Sequence, residues 1–161
     1  MNQIVAFRRT ATGIWAYEFF AGDQLIGTVS SLVGPNAVVR IEAPGVSWYS
    51  SFSMDTTIIP GISRRVKDNR NGEPVYRLIY CQPGFYRMAR EADSMLVERR
   101  NGAYLFGNQG MPVLAMTERI EEWQWLPGRD CEPYFLTTVY EENVSRELLM
   151  TVLSFPMLRF Y

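Results

Sequence analysis

The sequence predicts a mostly β fold: a closed antiparallel barrel of about twelve strands with a hydrophobic C-terminal helix through its centre. First, turn signals recur as far as residue 133, and short runs rich in β-branched and aromatic residues lie between them. Second, several of these runs alternate between polar and apolar residues, which places one sheet face in water and the other on a core. Third, the chain ends on its most apolar helical segment, residues 145–161.

The predicted strands follow one another through short turns. Asn71-Gly72 and Asn101-Gly102 each lie between two such runs and predict type I′ hairpins, in which both turn residues have a positive φ. The predicted strands are residues 3–9, 14–20, 25–31, 37–42, 46–52, 63–69, 74–82, 85–91, 94–100, 103–106, 113–118, 121–126 and 134–141.

After residue 141 the turn signals stop and a helix is predicted over about residues 143–158. Asn143 and Ser145 are the candidate N-caps, and acidic residues near the start suit the positive end of the helix dipole. Pro156 falls in the last turn, where an early end or a kink costs little. The expected core residues of the helix are Leu148, Leu149, Val152, Leu153 and Phe155.

This helix must be enclosed, because its only polar stripe is the narrow line of Glu147, Thr151 and Ser154. A membrane span needs about twenty apolar residues, and the run between Glu147 and Arg159 is shorter. A groove on a partner protein would leave the free chain with a large apolar surface. The protein's own sheet, closed around the helix, is the enclosure that the strand pattern favours.

Composition limits the functions that the chain can have. The chain has 161 residues, of which 47% are hydrophobic and 20% are charged. This length and composition indicate a single globular domain over residues 1–161. The net charge of −1 gives no overall field for nucleic acid, so any anion site must be local. The chain has no histidine, which removes His bases, His-activated nucleophiles and most zinc sites. We therefore predict no catalytic residues, no metal and no cofactor.

Cellular location is predicted from the cysteines and the N-terminus. Cys81 and Cys131 are too few for a disulfide framework and are expected to be buried thiols of a reducing compartment, with a single bridge left open. The arginines of the N-terminus follow its short apolar run, unlike those of a signal peptide. A cytoplasmic protein is expected, either free or peripheral at the membrane.

The strand series and its final Glu147-Leu148-Leu149-Met150-Thr151-Val152-Leu153-Ser154-Phe155 segment resemble the tubby C-terminal-like superfamily. This superfamily contains tubby proteins, phospholipid scramblases, LURP-one-related proteins and bacterial proteins of unknown role, and the chain is most similar to the bacterial type. The resemblance covers nearly the whole chain and implies the barrel around a helix. The chain departs from scramblases in having no Asp-rich calcium loop before the helix and no cysteine cluster for acylation, and from tubby proteins in having no long N-terminal region.

The resemblance also implies a lipid site, because basic residues on the barrel wall hold phosphoinositide head groups in tubby-like domains. The best local match is Arg64-Arg65-Val66-Lys67, followed by Arg70. On a strand, Arg65 and Lys67 share one face and Arg64 shares the other with Val66, so these residues cannot all reach one ligand. A solvated edge strand protected by charge is the alternative interpretation. The candidate head-group ligands are Arg64, Arg65, Lys67, Arg70, Arg77 and Arg87.

Other residues that could carry chemistry have ordinary structural explanations. Glu121 and Glu122 are adjacent on a predicted strand and point to opposite faces. Asp130 and Glu132 flank Cys131 and could touch a cation, although a polar loop is the favoured explanation. Trp15, Trp48, Trp123 and Trp125 could line a pocket, but a helix in the lumen would leave them as core, and Val46 is expected on the same buried face as Trp48.

Three functional hypotheses follow. The favoured one is a non-catalytic binding module that recognises a membrane lipid head group or a protein at the barrel surface. The first alternative is a protein-interaction or structural domain without a small ligand. The second is a metal- or carboxylate-dependent hydrolase, which would need convergent acidic residues in a cleft.

Overall fold

A computed structural model describes residues 2–11, 14–32, 38–51, 63–90, 94–107, 113–120 and 132–158 of the chain. These residues form twelve strands and one helix in a single sequential series. The elements are β1 (Asn2–Ala11), β2 (Ile14–Ala21), β3 (Gln24–Leu32), β4 (Val38–Ala43), β5 (Val46–Ser51), β6 (Ser63–Asp68), β7 (Pro74–Gln82), β8 (Phe85–Ala89), β9 (Ser94–Arg100), β10 (Ala103–Gly107), β11 (Val113–Arg119), β12 (Glu132–Val139) and α1 (Arg146–Leu158).

The strands close into an antiparallel barrel, as the sequence predicts. Each strand pairs with its neighbours in sequence, and β1 closes the ring by pairing with β12. The alternation of the strands sets the two faces of the wall. On β4, for example, Val39 and Ile41 are buried while Arg40, between them, is exposed. Closure leaves no open sheet edge among the described strands, since every one has two partners.

Helix α1 lies inside the barrel, which confirms the predicted central helix. All nine residues from Met150 to Leu158 are buried. The Phe155 ring packs edge-on against three rings from two strands of the wall, with centroid distances of 5.2 Å to Tyr86 on β8 and of 5.0 and 5.4 Å to Tyr104 and Phe106 on β10.

The helix approaches the opposite wall at Gly27 of β3. A Cβ atom at Gly27 would lie 2.9 Å from the side chain of Met150 and 2.8 Å from the carbonyl oxygen of Glu42. Only glycine leaves room for this approach, so the helix is enclosed by strands on both sides.

The helix begins later than predicted, at Arg146 rather than at about residue 143. Asn143 has a φ of 59°, which is left-handed and incompatible with continuing the helix. Ser145 is the N-cap, because its hydroxyl accepts a hydrogen bond from the Leu148 amide at 3.2 Å. Leu148 and Leu149, both expected in the core, are half-buried, and Leu149 packs against the core cluster.

The polar stripe of the helix is satisfied inside the barrel. Thr151 donates to the Glu147 carbonyl at 2.7 Å and Ser154 donates to the Thr151 carbonyl at 3.1 Å. The Ser154 hydroxyl also shares a 2.6 Å hydrogen bond with the hydroxyl of Tyr76 on β7. Burial raises the pKa of Tyr76, and this hydrogen bond and the charge of Arg64 oppose the rise only in part.

The two predicted hairpin turns differ. Asn101 and Gly102 have φ values of 51° and 79°, as a type I′ turn requires. At the other turn only Gly72 has a positive φ, so the type I′ prediction is wrong there. The loop is longer, and it closes through a 2.8 Å hydrogen bond from the Gly72 amide to the Asp68 carbonyl. The Asp68 carboxylate accepts from the Arg70 amide at 2.8 Å and stabilises this longer loop.

The aromatic and cysteine predictions have separate outcomes. Val46 and Trp48 are buried core residues, and Trp15 packs partly buried against the same core. Cys81 is exposed, so the prediction of a buried thiol is wrong; β7 leaves the core at this point, and Gln82 is exposed as well. The predicted strand over residues 121–126, with its two tryptophans, lies outside the described residues, as do Asp130 and Cys131. Glu132 begins β12.

Candidate functional site

The basic run on β6 is divided between the two sides of the barrel wall, as strand alternation predicts. Arg64 and Val66 are buried on the inner face. Arg65 is exposed and Lys67 is half-buried on the outer face. The wall therefore separates Arg64 from the other predicted ligands, and only the outward residues can meet a ligand on the barrel surface.

Arg64 is engaged inside the barrel. Its side chain is 8% exposed, and its Nε donates a 2.9 Å hydrogen bond to Ser50 Oγ on β5. One terminal guanidinium nitrogen donates at 3.3 Å to the carbonyl of Leu158, the last residue of α1. A cation at the end of a helix satisfies carbonyls that have no partner within the helix and suits the negative end of its dipole. Arg64 thus ties the end of the central helix to the wall.

The outer face carries two arginines in direct opposition. Arg65 on β6 is the register partner of Arg77 on β7, and both are exposed. Like charges directly opposite each other across two strands are unfavourable. Neither arginine takes part in the salt bridges found among the described residues. The pair is therefore a local concentration of positive charge that a bound anion would stabilise.

A groove of about 730 Å³ lies over this arginine pair. Its lining is part basic and part apolar and includes one acid, Glu73. A β-bulge contributes to its shape: Val66 pairs with Tyr76 but Lys67 pairs with Pro74, so Val75 is the extra residue on β7. The lining residues are Arg65, Glu73, Pro74, Val75, Tyr76, Arg77 and Ala89.

Lys67 and Arg70 are less available to a ligand in the groove. Lys67 is half-buried between its register partners Tyr49 and Pro74. Arg70 lies in the loop and forms a salt bridge with Asp68 at 2.8 Å. The hydrogen bonds from Arg70 hold the pKa of the Asp68 carboxyl below its usual range, and the same pair raises the pKa of Arg70. The charge of Arg70 is thus largely matched by Asp68.

Arg87 extends the basic surface onto β8. Arg77 pairs with Ala89, and Arg87 lies two residues before Ala89 on the same outer face. Diagonal neighbours of this kind lie about 7–8 Å apart across an antiparallel pair. Three exposed arginines, Arg65, Arg77 and Arg87, therefore follow one another across β6, β7 and β8.

The basic character of this surface is visible in the charge of residues 63–100, although the net charge of the whole chain is only −1. Residues 63–100 contain nine of the sixteen basic residues and five of the seventeen acidic ones. The described part of this segment forms the consecutive strands β6–β9, so the charges on these strands belong to one stretch of the barrel wall. Which arginines on that wall oppose each other follows only from the register.

No other cluster of chemically active groups emerges from the described part of the chain. Within it, no three residues of the types His, Cys, Asp and Glu are placed to hold a metal ion. The described residues also include no helix with the length and apolar character that crossing a membrane requires. Comparisons with models of known protein families, with curated proteins and with solved structures found no match to this chain.

Proposed function

We propose that the protein is a non-catalytic binding module whose β6–β8 outer face takes the phosphate of an anionic lipid head group of the phosphoinositide type. The observation that carries the proposal is the opposition of Arg65 and Arg77 beneath an open groove. A guanidinium forms paired, charge-assisted hydrogen bonds with phosphate oxygens. A phosphate bound between the two guanidinium groups would attract both of them and so offset their mutual repulsion.

The architecture supports a further part of this proposal, membership of the tubby C-terminal-like superfamily. Twelve antiparallel strands closed around a C-terminal helix are what the sequence resemblance implies. In that interpretation the helix has a structural role and the outer wall is the binding surface. The proposed location is cytoplasmic, with the protein peripheral at a membrane.

The test is co-sedimentation with vesicles. Wild-type protein is mixed with neutral vesicles and with phosphoinositide vesicles, at low and at physiological salt. The test variant is Arg65→Ala/Arg77→Ala. The matched control is Arg9→Ala on β1, an exposed arginine on the far side of the barrel whose partner is Glu18.

We expect head-group-dependent binding that persists at physiological salt and falls about tenfold or more in the double variant, because each lost charged hydrogen bond is worth about 1.5–3 kcal/mol. The control variant should bind like the wild type. Equal binding by the wild type and the double variant, or binding abolished in all proteins by physiological salt, would overturn the proposal. The protein-interaction hypothesis would then take its place.

A further inference from the structure

Two exposed apolar side chains border the arginine surface. Phe85 on β8 is 42% exposed and Leu96 on β9 is 39% exposed. Leu96 is the register partner of Arg87, and Phe85 lies two residues before Arg87 on the same strand. All three side chains therefore share the outer face of the barrel wall. The outer face of β8 and β9 therefore carries two exposed apolar side chains next to Arg87.

The position of Phe85 is fixed by a well-defined turn. Phe85 directly follows Gly84, which has a φ of 81° and whose carbonyl accepts a 2.8 Å hydrogen bond from the Arg99 amide. An aromatic side chain on a backbone that is already held by hydrogen bonds loses little conformational freedom when it leaves water for an apolar environment. The turn therefore presents Phe85 outward at low entropic cost.

The one acid directly opposite Phe85 does not cancel the positive charge of this face. Glu98 is the register partner of Phe85, and both of its carboxylate oxygens accept hydrogen bonds from Arg100 at 3.0 Å. The Glu98 charge is thus matched locally. The arginines of β6–β8 remain to set the potential that an approaching surface meets.

We propose that Phe85 and Leu96 insert into the interface of an anionic bilayer while Arg65 and Arg77 hold the head group. This inference rests on the function proposed above and adds that the occupant of the surface is a bilayer, because a soluble phosphate would not use the apolar pair. Apolar groups enter the boundary between head groups and acyl chains, and nearby cations meet the anionic lipid phosphates. The β6–β9 wall faces the membrane.

The test compares Phe85→Ser/Leu96→Ser with a matched control, Leu25→Ser/Val113→Ser. The control residues are 47% and 39% exposed and lie on β3 and β11, away from the arginine surface. Each protein is titrated with a soluble inositol polyphosphate and with vesicles that contain the corresponding phosphoinositide. We expect the test variant to keep wild-type affinity for the soluble head group and to lose about tenfold in vesicle affinity. The control should stay within about twofold of wild type for both probes.

Three results are distinguishable. If the test variant binds vesicles as the control does, insertion is overturned and the head-group site stands. If the test variant loses the soluble head group as well, insertion is overturned because the pair then acts on the head-group site itself. If wild-type protein binds neither probe, the proposed function fails and the inference fails with it.

A second measurement reads insertion directly. Phe85→Trp and Leu25→Trp are compared in vesicles that contain brominated lipids, which quench tryptophan fluorescence on contact. Additional quenching over the wild type is expected for Phe85→Trp alone. Equal quenching of both variants would overturn the orientation of the β6–β9 wall toward the membrane.

Discussion

Arg64 and Arg65 are adjacent in sequence but have different environments on the two sides of one strand. Arg64 is 8% exposed and holds the end of the central helix, whereas Arg65 is exposed and opposes Arg77 in an open groove. On the inner side, every polar group must find a partner because water is excluded. On the outer side, a guanidinium without a protein partner is solvated and stays available to a ligand. The role of each arginine therefore depends on which side of the barrel wall its side chain occupies.

The largest expected effect tests the inner side. Leu153 is 2% exposed on the central helix, so Leu153→Asp buries an unpaired charge. That penalty is several kcal/mol, comparable with the total stability of about 5–15 kcal/mol for a domain. We expect the variant to be unfolded at room temperature by circular dichroism. Leu25→Asp, at an exposed outer position, should fold normally. A wild-type melting curve for Leu153→Asp would mean that the helix does not occupy the barrel interior.

The second prediction separates the two arginines. Arg64→Met leaves the Leu158 carbonyl and Ser50 without their donor and should lower the free energy of unfolding by about 1–3 kcal/mol. Arg65→Met should change it by less than about 0.5 kcal/mol. Urea unfolding measures both values. The effects on vesicle binding should be reversed. Arg65→Met should lose affinity for the vesicles, whereas Arg64→Met, where it is folded, should bind them like the wild type. Equal stability losses would contradict the contrast between the two faces.

The third prediction concerns the close approach of helix and wall at β3. Gly27→Ala would place a Cβ atom 2.8 Å from the rigid Glu42 carbonyl, so overpacking should cost about 1–3 kcal/mol. Ser30→Ala, a half-buried outward position on the same strand, is the control and should cost less than about 0.5 kcal/mol. The midpoints of urea unfolding give the comparison. An unchanged midpoint for Gly27→Ala would contradict the overpacking expected at this position.

The smallest effect involves the buried hydroxyl of Tyr76. Tyr76→Phe removes the 2.6 Å hydrogen bond to Ser154 and should cost about 1 kcal/mol at neutral pH. Burial raises the pKa of Tyr76, so the folded state keeps this proton while the unfolded chain loses it above about pH 10. Stability should therefore fall as the pH rises above about 10, and Tyr76→Phe should reduce that slope. Urea titrations at a series of alkaline pH values measure it; an unchanged slope would contradict the assignment.

The sequence was a good guide to the elements and a poorer guide to their pairing. The predicted type I′ turn at Asn71-Gly72 would place Val66 opposite Arg77 across the hairpin. The observed loop is longer, and a bulge follows it, so Arg65 opposes Arg77 instead. The longer loop moves the partner of Lys67 from the predicted Tyr76 to Pro74, and the bulge at Val75 then changes the register by one residue, which exchanges the two faces of a strand. The arginine pair of the candidate site therefore could not be read from the residue types alone.

The amino-acid sequence alone was enough to predict the described strands, the enclosed helix and the division of the β6 basic run between two faces. These features depend on local periodicity and on the need to bury an all-apolar helix. Only the folded chain shows that Arg64 binds the carbonyl at the end of the central helix, that Arg65 opposes Arg77, and that Leu96 lies opposite Arg87. Each of these contacts joins residues from different elements, and their meeting is fixed by ring closure, register and bulges, which the whole barrel sets together.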